Sequence, residues 1–126
     1  MPPGISFTDR ELDVMAVLWE RGPSTVAEVR DRLSDRLAYT TVLTVLRTLE
    51  AKRRVTHEAE GRTHRYRPAV AREAAGRSAL RRIVRKLFGG SPELLLTQLV
   101  SDRSMTPHEL RRLQALLDAR LREKTR

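Results

Sequence analysis

Between Ala38 and Pro68 the period of the apolar residues changes from that of a helix to that of a strand, with only Lys52-Arg53-Arg54 between. Val42, Val45, Leu46 and Leu49 recur at i, i+3, i+4 and i+7, the stripe of an amphipathic helix running to about Lys52. Val55-Thr56-His57-Glu58 and Arg65-Tyr66-Arg67-Pro68 then alternate on either side of Ala59–His64, which has Gly61 near its centre. That pattern predicts a β-hairpin with a basic tip.

Two more helices precede this pair. Thr8-Asp9-Arg10-Glu11 has capping-box spacing, and Leu12, Met15, Val17, Leu18 and Trp19 continue behind it, predicting a helix over about Asp9–Arg21. Phe7 stands where a hydrophobic staple residue would, Gly22-Pro23 ends the helix, and residues 1–7 read as a short, mobile lead. Thr25-Val26-Ala27-Glu28 is a second box, opening a helix with Val26, Val29 and Leu33 inside and an end near Ser34-Asp35. Three short helices, the second and third tightly joined, make a helix-turn-helix, and a hairpin directly after it gives the winged-helix order.

The outer face of the third helix carries Thr40, Thr44 and Arg47, flanked by Thr41 and Thr48. Threonine lowers helix propensity, so four of them point to selection for something other than helix stability. Hydroxyls reach phosphates and bases, the threonine methyl can touch thymine, and Arg reaches guanine or a phosphate. Taken alone, the twelve residues Ala38–Leu49 fit an ordinary surface helix equally well. The hairpin behind them favours a DNA reading, in which a wing carries Arg62, His64 and Arg65 to a backbone or minor groove beside the recognition helix, with Arg62 and Arg65 as DNA contacts.

The formal charge of +9 and the pI near 11.2 favour a polyanionic partner. Aromatic residues are only 4%, so base-stacking platforms are poorly supplied, which favours duplex backbone over splayed bases. The chain has no cysteine, which excludes disulfides and thiolate metal sites. His57, His64 and His108 stand in no ligand spacing. His57 and His64 can approach across the hairpin, but without a carboxylate set they make no metal site. No phosphate loop, nucleophile elbow or Cys–His pair appears, so the expectation is a non-enzyme with neither metal nor cofactor. No signal peptide and no run of about 20 apolar residues is present, so a soluble cytoplasmic protein without a membrane partner is expected.

Composition changes at Ala69. Arg72–Phe88 is helical in pattern, apolar through Ala75, Ala79, Leu80, Ile83, Val84, Leu87 and Phe88 and basic through Arg77, Arg81, Arg82, Arg85 and Lys86. After Gly89-Gly90, Ser91-Pro92 opens a helix through Val100 that is apolar nearly all round and is expected to be buried. Thr106-Pro107-His108-Glu109 caps a last helix with Leu110, Leu113, Leu116, Leu117 and Leu121 at 3–4 spacing. So much apolar surface on so small a unit suggests self-association, which a two-fold operator also needs. The alternative is a tail folding back on its own N-terminal domain. Residues 1–70 carry 12 Lys and Arg against 10 Asp and Glu, and residues 71–126 carry 13 against 6. Most of the excess charge therefore lies outside the reading head. The Arg77–Lys86 face either follows phosphates or is simply solvated, the commoner fate of a charge run.

Thr8–Met15 with Leu18-Trp19, Ala38-Tyr39-Thr40-Thr41-Val42 with Thr44-Val45-Leu46, and Glu60-Gly61-Arg62 with Tyr66-Arg67-Pro68 resemble the penicillinase-repressor family of BlaI/MecI type, with the copper-responsive CopY type as relatives. The resemblance implies a homodimeric repressor: a winged-helix DNA-binding domain over 1–70, on an inverted-repeat duplex operator, and a helical dimerisation domain over 71–126. By position it implies operator contacts from Thr40, Thr41, Thr44 and Arg47, a phosphate contact from Tyr39 and a wing contact from Arg62. The apolar residues of the last two helices, Leu94, Leu95, Leu99, Leu110, Leu113 and Leu117, would form the dimer seam. The copper-type members carry a Cys-x-Cys pair that this chain lacks, so metal sensing of that kind is excluded. Antibiotic-responsive members are cut by a regulatory protease at an Asn-Phe bond whose place here is Gln98-Leu99. Two other functions fit the residues less well: a sequence-independent architectural DNA binder, and a winged helix used for protein contacts.

Overall fold

The computed structural model describes residues 5–124; residues 1–4 of the expected lead lie outside them. The elements run α1 (Asp9–Arg21), β1 (Ser24–Thr25), α2 (Val26–Arg32), α3 (Tyr39–Ala51), β2 (Val55–Glu60), β3 (Thr63–Pro68), α4 (Arg72–Leu87), α5 (Pro92–Val100) and α6 (Pro107–Lys124). The fold is mostly α with a small antiparallel sheet: a winged helix-turn-helix followed by a C-terminal helical region. The chain divides after Leu80 into two units.

In the first unit both expected capping boxes form. Thr8 Oγ1 accepts from the Glu11 amide (3.1 Å) and Glu11 Oε1 from the Thr8 amide (2.8 Å); Thr25 and Glu28 repeat the exchange at 3.2 and 2.9 Å. Behind those caps Val14, Met15 and Leu18 of α1 meet Val26 and Val29 of α2 and Val42, Leu46 and Leu49 of α3 in one buried cluster. Val55 and Tyr66 close it from the sheet. They are the only fully buried residues of β2 and β3, so the rest of the hairpin stands out as a wing. Trp19 fixes the far end of α1: its Nε1 donates to the Val70 carbonyl (2.9 Å), Phe7 meets it edge-on at 6.2 Å, and the Arg72 guanidinium lies 5.8 Å over its ring. With Ala75 also buried, the first unit extends past the composition change at Ala69.

Three local expectations need correction. The second helix stops at Arg32, short of Ser34-Asp35, because Leu33 is already extended (φ −72°, ψ 142°). The hairpin strands run to Glu60 and from Thr63, so a two-residue turn of Gly61-Arg62 replaces the six-residue loop. Gly61 adopts φ +61°, open to glycine at no steric cost, and Thr63 Oγ1 donates to the Glu60 carbonyl (3.0 Å) to close the turn. The sheet has three strands in the order β1-β3-β2, not two: Ser24 and Thr25 pair with Tyr66 and Arg65.

In the second unit Gly89 (φ +56°) and Gly90 (φ +82°) end α4, Ser91 Oγ accepts from the Leu94 amide (3.2 Å), and Thr106 and Glu109 form a third box. The expected burial of α5 is not met within the chain. None of residues 81–123 is buried, and Leu94 and Leu99 are 55% and 46% exposed. The reason is geometric: a few helices that are apolar on several sides expose more apolar surface than one another's faces can cover.

Candidate nucleic-acid interface

α3 turns Val42, Leu46 and Leu49 into the core, which by the 3.6-residue period puts Thr40, Thr44 and Arg47 on the opposite side with Thr41 and Thr48 on its flanks; all five are exposed, as is Tyr39 in the first turn, nearer the core stripe. Thr44 Oγ1 donates to the Thr40 carbonyl and Thr48 Oγ1 to the Thr44 carbonyl, both at 2.9 Å. Each hydroxyl proton spent this way leaves oxygen lone pairs and a methyl for an outside group. The helix starts differently from its neighbours. Ala38 is its N-cap, no side chain caps it, and no acid stands in its first turn. Its amide end is therefore left for an anion, as a phosphate would use it.

Apart from the half-buried Arg54, whose Nε has no hydrogen-bond partner among the described residues, the basic residues around α3 and the wing divide into two sets. Arg36, Arg47, Arg53 and Arg62 are exposed and have no carboxylate partner among the described residues. The other set is internally committed. Lys52 Nζ donates to Glu11 Oε2 at 2.8 Å, and Arg67 pairs with Glu58 at 3.0 Å.

Arg65 is the most heavily committed of these. Its Nε and Nη2 donate to Glu60 (2.6 and 3.1 Å), and its Nη1 donates to Glu28 Oε1 (3.0 Å) and to the Pro23 carbonyl (3.1 Å). Glu28 in turn accepts from Arg21 Nη2 at 2.9 Å. The Arg21 hydrogen bond, backed by the Thr25 amide, holds the Glu28 carboxyl down to about 2, and the Arg65 hydrogen bonds keep that of Glu60 below its ordinary range. Arg65 thus ties the wing to the start of α2, with its donors facing inward.

Along the wing the His57 and His64 rings stack at 4.2 Å and 12°, with Tyr66 5.4 Å from His57 and Glu50 Oε2 2.5 Å from His57 Nδ1. The histidines do come together across the hairpin. Nearly parallel rings, however, hold their lone pairs in separate planes, a poor arrangement for one shared ion. Among the described residues no group of three or more His, Asp or Glu side chains could hold a metal. Burial pushes the Tyr66 phenol up, with Glu50 adding to the shift and Arg47 opposing it.

Sequence reasoning missed Arg53. It adopts φ +63°, and the Arg54 and Arg53 amides donate to the Leu49 and Glu50 carbonyls (2.8 and 2.9 Å), completing a Schellman cap that glycine usually makes. The only sequence signal was the run of three cations after α3, which gives no hint of backbone conformation.

Of the remaining expected site residues, Leu94 and Leu99 are exposed, Leu95, Leu110 and Leu113 half-buried, and Leu117 is 51% exposed, all in the second unit. Gln98 and Leu99 are both exposed within α5. No helix among the described residues is long and apolar enough to cross a membrane.

Two proteins named transcriptional regulator BlaI, from Mycobacterium tuberculosis strains CDC 1551 / Oshkosh and ATCC 25618 / H37Rv, are each 47% identical over 68 residues, 52% of this chain and 49% of theirs. The chain thus spans about half the length of the curated relatives it matches. The solution structure of the Bacillus licheniformis BlaI monomeric form in complex with the blaP half-operator is 29% identical, over 56% of this chain and 88% of that one, with a TM-score of 0.48. A MarR family protein from Bacillus stearothermophilus shares the fold at 19% identity, over 97% of this chain and 78% of its own, with a TM-score of 0.51. Residues 7–119 match the family described as penicillinase repressor, and the chain belongs to it.

Proposed function

We propose that the chain represses transcription as a homodimer, reading an inverted-repeat duplex operator with α3 and the wing. The family is one of repressors, not enzymes. One observation carries the DNA reading: the cations left without carboxylate partners around α3 and the wing stand with the exposed threonine face and the uncapped start of that helix. In this reading Thr40, Thr41 and Thr44 meet bases or phosphates, Tyr39 meets a phosphate, Arg47 reaches a base edge and Arg62 reaches the backbone from the wing. Arg65 holds the wing in position.

Leu94, Leu95 and Leu99 of α5 and Leu110, Leu113 and Leu117 of α6 form the seam between two copies, which accounts for a helical unit with none of residues 81–123 buried. A regulatory protease cutting at Gln98-Leu99 would sever two seam leucines, Leu94 and Leu95, from the other four. β-lactam resistance or related genes are the regulated class that the family suggests, and the site of action is cytoplasmic.

The test is a band shift at two salt concentrations with DNA from upstream of the gene and a scrambled duplex. Tight, upstream-selective binding in a dimer-sized complex is expected. Equal, salt-sensitive binding of both probes would instead make it an architectural DNA-binding protein, and binding to neither would favour a protein partner.

A further inference from the structure

The basic side of α4 has no part in the operator reading. Arg81, Arg82, Arg85 and Lys86 are all exposed, and none has a carboxylate partner among the described residues. No acidic residue occurs anywhere from Ala74 to Pro92. In the first unit, by contrast, Arg10, Arg21, Lys52, Arg65 and Arg67 each sit within 3.0 Å of a carboxylate. Arg81 and Arg85, like Arg82 and Lys86, are four residues apart on one helix, where like charges disfavour the helix that carries them. An ordinary solvated face would be interleaved with Glu, as the capped helices of the first unit are. This one is uniformly cationic, with three of its four cations arginine, whose planar fork matches phosphate oxygens. It also holds no Asn or Gln with which to read an adenine edge.

We infer that Arg81, Arg82, Arg85 and Lys86 of α4 form a second, sequence-independent surface for the backbone phosphates of duplex DNA. The inference rests on the DNA reading given above and adds a contact that the recognition helix and wing do not make. It gives the large positive excess of the tail a role: raising affinity for any duplex while α3 supplies the discrimination.

The test replaces all four with glutamine in the full chain (R81Q/R82Q/R85Q/K86Q) and measures affinity against salt on the upstream DNA and on a scrambled duplex. The plot of log affinity against log salt should become shallower by roughly 2–3.6 on both probes, since each phosphate neutralised contributes about 0.9 to the slope. The preference between probes should stay within about twofold. Circular dichroism and sedimentation should match the wild type, because removing like charges does not weaken a helix. An unchanged slope on both probes overturns the inference, as does binding of the wild type but not the variant to anionic vesicles together with an unchanged DNA slope. A wild type with no preference for upstream DNA would fail the operator reading separately, since the slope on scrambled duplex is still measured.

Discussion

The two units are built from the same kind of sequence and end in opposite states. α1 and α6 both begin with a Thr–Glu box and carry apolar residues at helical spacing, yet Val14, Met15 and Leu18 are buried while Leu116, Leu117 and Leu121 are more than half exposed. The difference is the number of layers available. In the first unit α2, α3 and the sheet close over α1 from several directions, and eleven apolar side chains reach one another. In the second, no sheet is present among the described residues and the helices offer one another no comparable cover. Amphipathicity makes a surface that can be buried, and whether it is buried depends on what faces it.

The sharpest way to break this comparison is to cut one leucine from each unit. Leu46→Ala should lower the unfolding free energy of the first unit by about 2–5 kcal/mol, independent of protein concentration. Leu113→Ala should leave dilute chains unchanged and lower the melting temperature only at concentrations where the wild type self-associates. Thermal melts at two concentrations with sedimentation would check both, and a concentration-independent loss for Leu113→Ala would refute the seam.

Next in size are the arginines. Arg47→Ala should weaken operator binding by about 1–3 kcal/mol if it reads a base. Arg62→Ala should flatten the salt slope by about one, whereas Arg65→Met should weaken binding with the slope intact, since its donors already have protein partners. A slope reduced by one in Arg65→Met would make it a phosphate contact after all.

Acid should then act on the first unit. Burial raises the Glu11 carboxyl, but the Lys52 hydrogen bond and the Thr8 amide outweigh it, leaving it below its ordinary range, and Glu28 is held at about 2. Both are depressed on folding, so the unfolded chain binds more protons below the ordinary carboxylate range. Their contribution is complete at neutral pH, begins to drain as pH falls below about 4.5, and is lost for Glu28 near 2. Glu28→Gln should flatten that acid limb in a pH series of denaturant melts.

The smallest effect is a gain. Arg53→Gly should stabilise the first unit by about 1 kcal/mol, because glycine takes the left-handed conformation without the side-chain clash. If operator affinity drops at the same time, the strained arginine is retained for DNA.

The helices of both units were legible because capping boxes and 3.6-residue periods are local and act over one or two turns. The wing was legible as a hairpin, but its turn was not, since a single glycine admits several loop lengths. β1 left no readable trace: Ser24 and Thr25 become a strand only because β3 offers them hydrogen bonds, and two residues have no period of their own. The candidate site was read in part. The threonine face and Arg47 followed from the wheel of α3, while the commitment of Arg65 to Glu28 and Glu60 depends on residues 37 and 5 positions away.

The amino-acid sequence alone determined the order of the helices and the hairpin, the capping boxes, the apolar faces and the basic excess, since each follows from neighbours within a few residues. Only the tertiary structure decided which cations are consumed by carboxylates and which are free, and which apolar faces find a cover. Those outcomes depend on through-space partners, and charge and burial are settled by what lies opposite rather than by what comes next in the chain.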